Sequence, residues 1–192
     1  MPFQNGWTVI DIGAGLGDFA VTVARRNPQS AIYAFEPFPE SFALLKENIA
    51  LNNIENIQAF QAAVSGESSD LRLHIGTGEA VEHSTAKQSA GPGAVVVRGI
   101  ALADVFSQHN LARCDYLKVD CEGAEFDIFL QASVETLHKI THICIEYHDH
   151  VTPHTHRELV ALFERHGFQV RTRPNPVHSY LGMLYASRQA SV

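Results

Sequence analysis

Three glycines alternate with other residues behind a short apolar run, in Asp11-Ile12-Gly13-Ala14-Gly15-Leu16-Gly17. Glycine lets the backbone turn sharply and approach a ligand with no Cβ in the way. A helix opening behind such a turn aims its unpaired N–H groups at it. The segment therefore suits a nucleotide-like cofactor. The dinucleotide fingerprint G-x-G-x-x-G, counted from Gly13, needs its third glycine at position 18. That position is Asp18, and the third glycine is Gly17. Glu36-Pro37 ends the next apolar run, nineteen residues past Gly17. An acid about that far along grips ribose hydroxyls; a solvated carboxylate ahead of a helix is the plain structural alternative. Gln61-Ala62-Ala63, after the third run, would lie beside a base ring, where small residues leave room.

A second dense stretch is Asp115-Tyr116-Leu117-Lys118-Val119-Asp120-Cys121-Glu122-Gly123-Ala124-Glu125. Asp120 closes an apolar strand, and the carboxyl ends of strands are where open α/β sheets bind ligands. Glu122 and Glu125 fall around a helix start, where the helix dipole favours carboxylates. Glu125 therefore has a purely structural explanation beside any functional one. The next strand ends in Glu146-Tyr147-His148. Glu146 and His148 are two residues apart and share one face of an extended chain. Asp120, Glu122, Glu146 and His148 are the candidate catalytic set. His150, His154 and His156 follow; their spacing matches no zinc motif, and surface histidines are the expectation. No metal site is assigned. His138, His142, His166 and His178 carry no motif and are expected to be solvated.

Alternating strand and helix signals must position these residues, which argues for a mainly parallel sheet covered by helices. Strands are expected at Trp7 to Ile12, Ala31 to Phe35, Ile57 to Ala62, Tyr116 to Val119 and Ile143 to Tyr147. Helices are expected at Asp18 to Arg26, Pro39 to Asn52, Ala101 to Asn110, Ala124 to Leu137 and Thr155 to His166. Phe168 to Arg173 and Tyr180 to Ala186 are joined by a link too short for a crossover helix and should pair antiparallel. Between the third strand and residue 101 the pattern weakens. Leu71 to Ile75 alternates, Val95 to Val97 is apolar, and Gly76 to Gly93 reads as a long loop. Residues 1–192 are expected to form one domain.

The chain has 192 residues, 45% of them hydrophobic, enough for a sizeable core. Its net charge of −7 gives no general attraction for polyanions, so no nucleic-acid partner is expected. The three cysteines, Cys114, Cys121 and Cys144, form no paired framework. The N-terminus lacks a signal peptide's basic and apolar regions, and no apolar run reaches the roughly 20 residues that span a bilayer. A cytoplasmic protein with no membrane partner is the expectation. Nothing in the sequence marks an oligomeric state.

The D-x-G-x-G-x-G run from Asp11 to Gly17 resembles that of class I methyltransferases. More specifically, the chain resembles the FkbM family of methyltransferases. The resemblance rests on Val9 to Phe19, Phe35-Glu36-Pro37, Asn48 with Asn52-Asn53, Ala63-Val64-Ser65, and above all Leu117-Lys118-Val119-Asp120-Cys121-Glu122-Gly123-Ala124-Glu125. Glu146 matches the acid at the end of the following strand. It covers roughly residues 8–186. It implies an α/β, Rossmann-like fold: a mainly parallel seven-stranded sheet with an antiparallel terminal strand and helices on both faces. It implies S-adenosylmethionine as cofactor, with Asp11, Gly13, Gly15, Gly17, Glu36, Pro37, Gln61, Ala62 and Ala63 around it. Asp11 would suit the cofactor's ammonium, directly or through water. It also implies methyl transfer to a hydroxyl of a small molecule, of sugar or polyketide type. Unlike many relatives, this chain begins almost at its first strand, without preceding helices that cap the cofactor.

In that chemistry the acceptor oxygen must be aligned with the methyl group, and a base must remove the hydroxyl proton. His148 or Asp120 would be the base, and Glu122 and Glu146 would orient the acceptor. In a variant the carboxylates would hold Mg²⁺ to polarise the hydroxyl. Two other classes compete: a nicotinamide-dependent oxidoreductase, which the glycine spacing disfavours, and a cofactor-binding module without turnover, which the four polar groups at one sheet edge disfavour.

Overall fold

The computed structural model of the chain describes residues 3–74, 82–83 and 94–188. Its centre is a seven-stranded sheet. The strands are β1 (Thr8–Ile12), β2 (Ala31–Phe35), β3 (Ile57–Phe60), β8 (Cys114–Val119), β9 (Ile140–His148), β10 (Gln169–Pro174) and β11 (Leu181–Ser187). Their order is β10-β11-β9-β8-β1-β2-β3. Neighbours from β9 to β3 pair in parallel, while β11 runs antiparallel between β9 and β10. The expected antiparallel terminal pair is present, and its last strand is inserted one place in from the edge. The order reverses between β1 and β8, where an α/β sheet opens a crevice at its carboxyl edge.

Strands buried on both faces read as nearly continuous apolar runs. In β1 and β2 the side chains alternate between two cores. Val9, Ile32 and Ala34 pack with Ala20 and Val23 of α1 (Asp18–Arg26) and Leu45 of α2 (Pro39–Leu51). Ile10, Ile12, Tyr33 and Phe35 share the other core with α3 (Leu102–Gln108), α4 (Ala124–Leu130), α5 (Val134–His138) and α6 (His156–Arg165). Helices therefore cover both faces. Phe129 of α4 meets Phe163 of α6 edge-to-face, with ring centroids 4.9 Å apart. Both rings are fully buried, each worth about 1.5–3 kcal/mol relative to exposure. That contact fixes the helix that carries Glu125.

The structure corrects the expected elements in two places. The strand expected from Ile57 to Ala62 stops at Phe60, and the chain resumes as β4 (Ala63–Ser65) in a second sheet. That sheet also holds β5 (Asp70–His74), β6 (Glu82–His83) and β7 (Ala94–Ala101), in the order β4-β7-β5-β6. Ala62 N–H bonds back to the Phe60 carbonyl at 3.0 Å, and this tight turn sends the chain to the new sheet. The single helix expected from Ala124 to Leu137 is two helices. Ser133 starts the second by accepting the Thr136 N–H on its side chain at 3.1 Å, a cap that competes with helix continuation. The long loop expected from Gly76 to Gly93 lies outside the described residues, apart from Glu82–His83.

Among the described residues no helix is long and apolar enough to cross a membrane. Cys114, Cys121 and Cys144 are free thiols. His142 is not solvated as expected: it is half-buried and stacked on Trp7, with ring centroids 5.5 Å apart.

Candidate functional site

The carboxyl edge of the sheet opens into a cleft of about 370 Å³, lined among others by Gly13, Gly15, Glu36, Pro37, Ala62, Ala63, Asp120 and Glu122. Its size falls in the range of about 300–1,000 Å³ usual for small-ligand sites. One wall is the glycine turn. Gly13, Gly15 and Gly17 all have positive φ, at 73°, 55° and 87°. The N–H groups of Gly13 and Ala14 both donate to the Phe35 carbonyl at 3.0 Å, which ties the turn to the end of β2. Across the switch point the Asp120 N–H donates to the Ile12 carbonyl at 3.0 Å. A Cβ on Gly13 would lie 1.8 Å from the Asp120 carbonyl oxygen, whereas one on Gly15 would meet nothing within 4 Å. Gly13 is thus required by the join of two strands, and Gly15 leaves the cleft open.

Glu36 is buried at the end of β2. One carboxylate oxygen accepts the Gly15 N–H at 2.8 Å, and the other accepts the Phe38 N–H at 2.9 Å. Burial still raises its pKa above the ordinary value, against those two bonds. Each oxygen keeps a further lone pair for a ligand hydroxyl.

Asp120, in the cleft lining, belongs to an ion cluster. Asp11 is fully buried, and its carboxylate lies 3.3 Å from the Lys118 ammonium, facing it across the β1–β8 register. Beyond that ion pair neither Asp11 oxygen has a hydrogen bond of regular geometry. Burial pushes Asp11 up to about 6, although Lys118 opposes the rise. Lys118 also lies 3.6 Å from the Asp120 carboxylate and donates to the Gly13 carbonyl at 3.5 Å. Burial disfavours its ammonium, but Asp11 and Asp120 outweigh that and raise its pKa.

At the edge of the cleft, Glu122 of its lining and the following Gly123 are consecutive left-handed residues, with φ of 49° and 113°. A non-glycine residue there is uncommon and strained. The turn presents the Gly123 N–H to a Glu125 carboxylate oxygen at 2.7 Å. The other Glu125 oxygen accepts the His148 N–H at 2.8 Å and lies 3.1 Å from His148 Nδ1. Burial works against the His148 imidazolium, but Glu125, together with Glu146 and Asp120, outweighs it and raises its pKa. Glu122 is raised by burial and by the fields of Asp120, Glu125 and Glu146, against His148.

Of the expected cofactor residues, Gly13, Gly15, Glu36, Pro37, Ala62 and Ala63 come together in the cleft. Asp11 reaches it only through Lys118 and Asp120. Gly17 lies under Leu45 and starts α1. Gln61 is exposed and outside the cleft lining. Of the expected catalytic residues, Asp120 and Glu122 line the cleft, while Glu146 and His148 stand beside it within their electrostatic reach. Lys118 and Glu125 were not in either expected set. The signal for Lys118 is the one cation of its strand, set between two apolar residues. Glu125 is marked only by closing the Lys118-to-Glu125 run that carries the family resemblance, because an acid in a first helical turn is by itself commonplace.

Among the described residues no three His, Cys, Asp or Glu side chains gather as ligands for one metal ion, so the Mg²⁺ variant finds no donor set there. His156 instead pairs with Asp149 at 2.7 Å, and His154 with Glu158 at 2.8 Å, at the start of α6.

Known methyltransferases resemble the chain along most of its length. The chain is 30% identical to "Methyltransferase 1" of Beauveria bassiana, over 97% of this chain and 83% of that protein. It is 25% identical to "31-O-demethyl-FK506 methyltransferase FkbM" of Streptomyces tacrolimicus, over 91% and 77%. The crystal structure of a methyltransferase FkbM from Methylobacillus flagellatus shares the fold, with a TM-score of 0.64 and 13% identity, over 97% of this chain and 44% of that one. Residues 11–170 match the profile of the "Methyltransferase FkbM domain". That span runs from the buried acid of the glycine turn, through the whole Lys118-to-Glu125 stretch, to β10, and the chain belongs to the FkbM methyltransferase family.

Proposed function

We propose that the chain is an S-adenosylmethionine-dependent O-methyltransferase acting on a hydroxyl of a small molecule, of sugar or polyketide type. The observation that carries this is the convergence of the glycine turn, the buried Glu36 carboxylate and the acidic end of β8 on one cleft. The residues fit the cofactor. Glu36 has lone pairs for ribose hydroxyls, Ala62 and Ala63 leave room for a base ring, and Gly15 opens the wall where a side chain would intrude. The relative named as a 31-O-demethyl-FK506 methyltransferase supports oxygen as the acceptor atom.

When bound, the cofactor supplies an electrophilic methyl group on a sulfonium. The chain's own residues then have three tasks. The cleft holds donor and acceptor in line, which replaces a costly bimolecular encounter. Asp120, Glu122 and Glu146 accept hydrogen bonds from the acceptor's hydroxyls. His148 takes the hydroxyl proton.

Calorimetric titration with S-adenosylmethionine tests the cofactor. Wild-type protein should bind it, and Glu36→Ala should weaken binding at least about tenfold, or 1.4 kcal/mol. That variant loses the ribose contact and strands the N–H groups of Gly15 and Phe38. Absence of binding by the wild type would sink the proposal.

A second measurement separates the two candidate bases. His148→Ala should lower turnover by about 10²–10⁴ with cofactor affinity unchanged. Asp120→Asn should weaken the cofactor site as well, because Asp120 lines the cleft and pairs with Lys118. Full turnover in both variants would remove both residues from the mechanism.

A further inference from the structure

We propose that Glu125 is the positioning residue of a buried carboxylate–imidazole pair that holds His148 as the Nδ1–H tautomer and leaves its Nε2 as the proton acceptor. The inference rests on the methyltransferase function proposed above and names how its base is set.

The geometry is specific. Glu125 is fully buried, so each of its oxygens needs a partner inside the protein. One oxygen takes the Gly123 N–H at 2.7 Å and the Cys121 thiol at 3.7 Å. The other takes both the backbone N–H and the ring Nδ1 of His148, at 2.8 and 3.1 Å. Backbone N–H and thiol are donors, so the carboxylate acts as acceptor throughout. Nδ1 must then carry a hydrogen for its contact to be attractive. In the neutral ring the lone pair is left on Nε2.

The carboxylate also ties two chain segments together. Glu125 belongs to α4, behind the strained Glu122-Gly123 turn, while His148 ends β9. A helix-start acid with only a dipole role would be exposed and would not touch the next strand.

Proton transfer balances simply. The acceptor O–H bond breaks, its electron pair stays on oxygen, and an N–H bond forms at Nε2. The imidazolium so formed lies against the Glu125 carboxylate, which stabilises it as the acid of a Ser-His-Asp triad does its histidine. The other charges facing His148 are Glu146 on its own strand and Asp120 and Glu122 from the end of β8. The His150 ring stands 6.5 Å away. All three carboxylates favour the cation, so none competes with Glu125 in sign.

Long-range ¹H–¹⁵N NMR on histidine-labelled protein, between about pH 5 and about pH 9, reads the pair without any acceptor. The His148 signal is assigned by its loss in His148→Ala. Wild-type protein should show the Nδ1–H tautomer at high pH. In Glu125→Gln the titration midpoint should move acidward by about one pH unit or more, and the tautomer preference should relax. A helix acid that merely braces the backbone would leave both signatures alone. An Nε2–H tautomer in the wild type, or an unmoved midpoint in folded Glu125→Gln, overturns the pair. Should Glu125→Gln not fold, the wild-type tautomer alone decides. S-adenosylmethionine titration of the same samples reads the function separately. Absence of binding by wild type overturns that function and with it the catalytic use of the pair, whereas a wrong tautomer with intact binding overturns the pair alone.

Discussion

Gly13→Ala is expected to lose cofactor binding outright and to cost about 3–5 kcal/mol of stability, the range reserved for a few named mechanisms. Two of them act here at once. An alanine at a left-handed φ of 73° carries a penalty of about 1–2 kcal/mol. Its Cβ would also sit 1.8 Å from the Asp120 carbonyl oxygen and 2.7 Å from its carbon. Those are backbone atoms of the residue that follows the neighbouring strand β8, so no side-chain rotation relieves the clash. Relief requires β1 and β8 to part where the Asp120 N–H bonds the Ile12 carbonyl. Gly15→Ala is the internal control. Its φ is also positive, at 55°, but its Cβ would meet nothing within 4 Å. It should cost only the conformational penalty in stability while still crowding the cleft that Gly15 lines. Urea denaturation and calorimetric titration on the pair check this. Equal stability losses would mean that the strand junction is not what Gly13 serves.

The same contrast shows which parts of the site the sequence could reveal. The glycine turn, Glu36 and the Asp120 end of β8 are local: each lies where an apolar run stops, and the chain itself marks the place. Strand parity alone puts Glu146 and His148 on one face. What the sequence could not reveal is pairing between segments distant along the chain. Asp11 and Lys118 become partners only because β1 and β8 are adjacent and in register. Glu125 and His148 meet only because the first turn of α4 comes to the end of β9. Asp11, suited in sequence to a ligand's ammonium, is in the structure committed to a lysine. The misplaced boundaries have equally local causes. Ser133 caps a new helix inside an apolar pattern that continues past it, and a tight turn at Phe60–Ala62 breaks one strand into two. Apolar periodicity is blind to both.

The Asp11–Lys118 pair carries the second large effect. Asp11 is pushed from 3.8 up to about 6 by burial, so the folded protein binds its proton more tightly than the unfolded chain. Its contribution to stability is therefore full below about pH 3.8 and is lost as pH rises through about 6. Above that, an ionised aspartate sits in the core beside α1, and Lys118 is the cation that offsets it; the ammonium itself lies under the Phe19 ring, 5.7 Å from its centroid. Lys118→Met leaves the charge without a partner. Breaking a buried pair from one side costs about 3–5 kcal/mol, and here the loss should be larger at pH 8 than at about pH 5, where Asp11 can take up a proton instead. Asp11→Asn/Lys118→Met should recover most of the stability, since removing both charges of a buried pair is often neutral. Cofactor affinity should not recover with it. Lys118 also holds the Asp120 carboxylate and the Gly13 carbonyl, both of residues that line the cleft, and the double variant restores neither contact. Chemical denaturation at the two pH values, with S-adenosylmethionine titration of the double variant, separates the fold from the site. A double variant that regained both would reduce Lys118 to a counter-ion for Asp11, whereas regained stability without regained affinity assigns it to the architecture of the cleft.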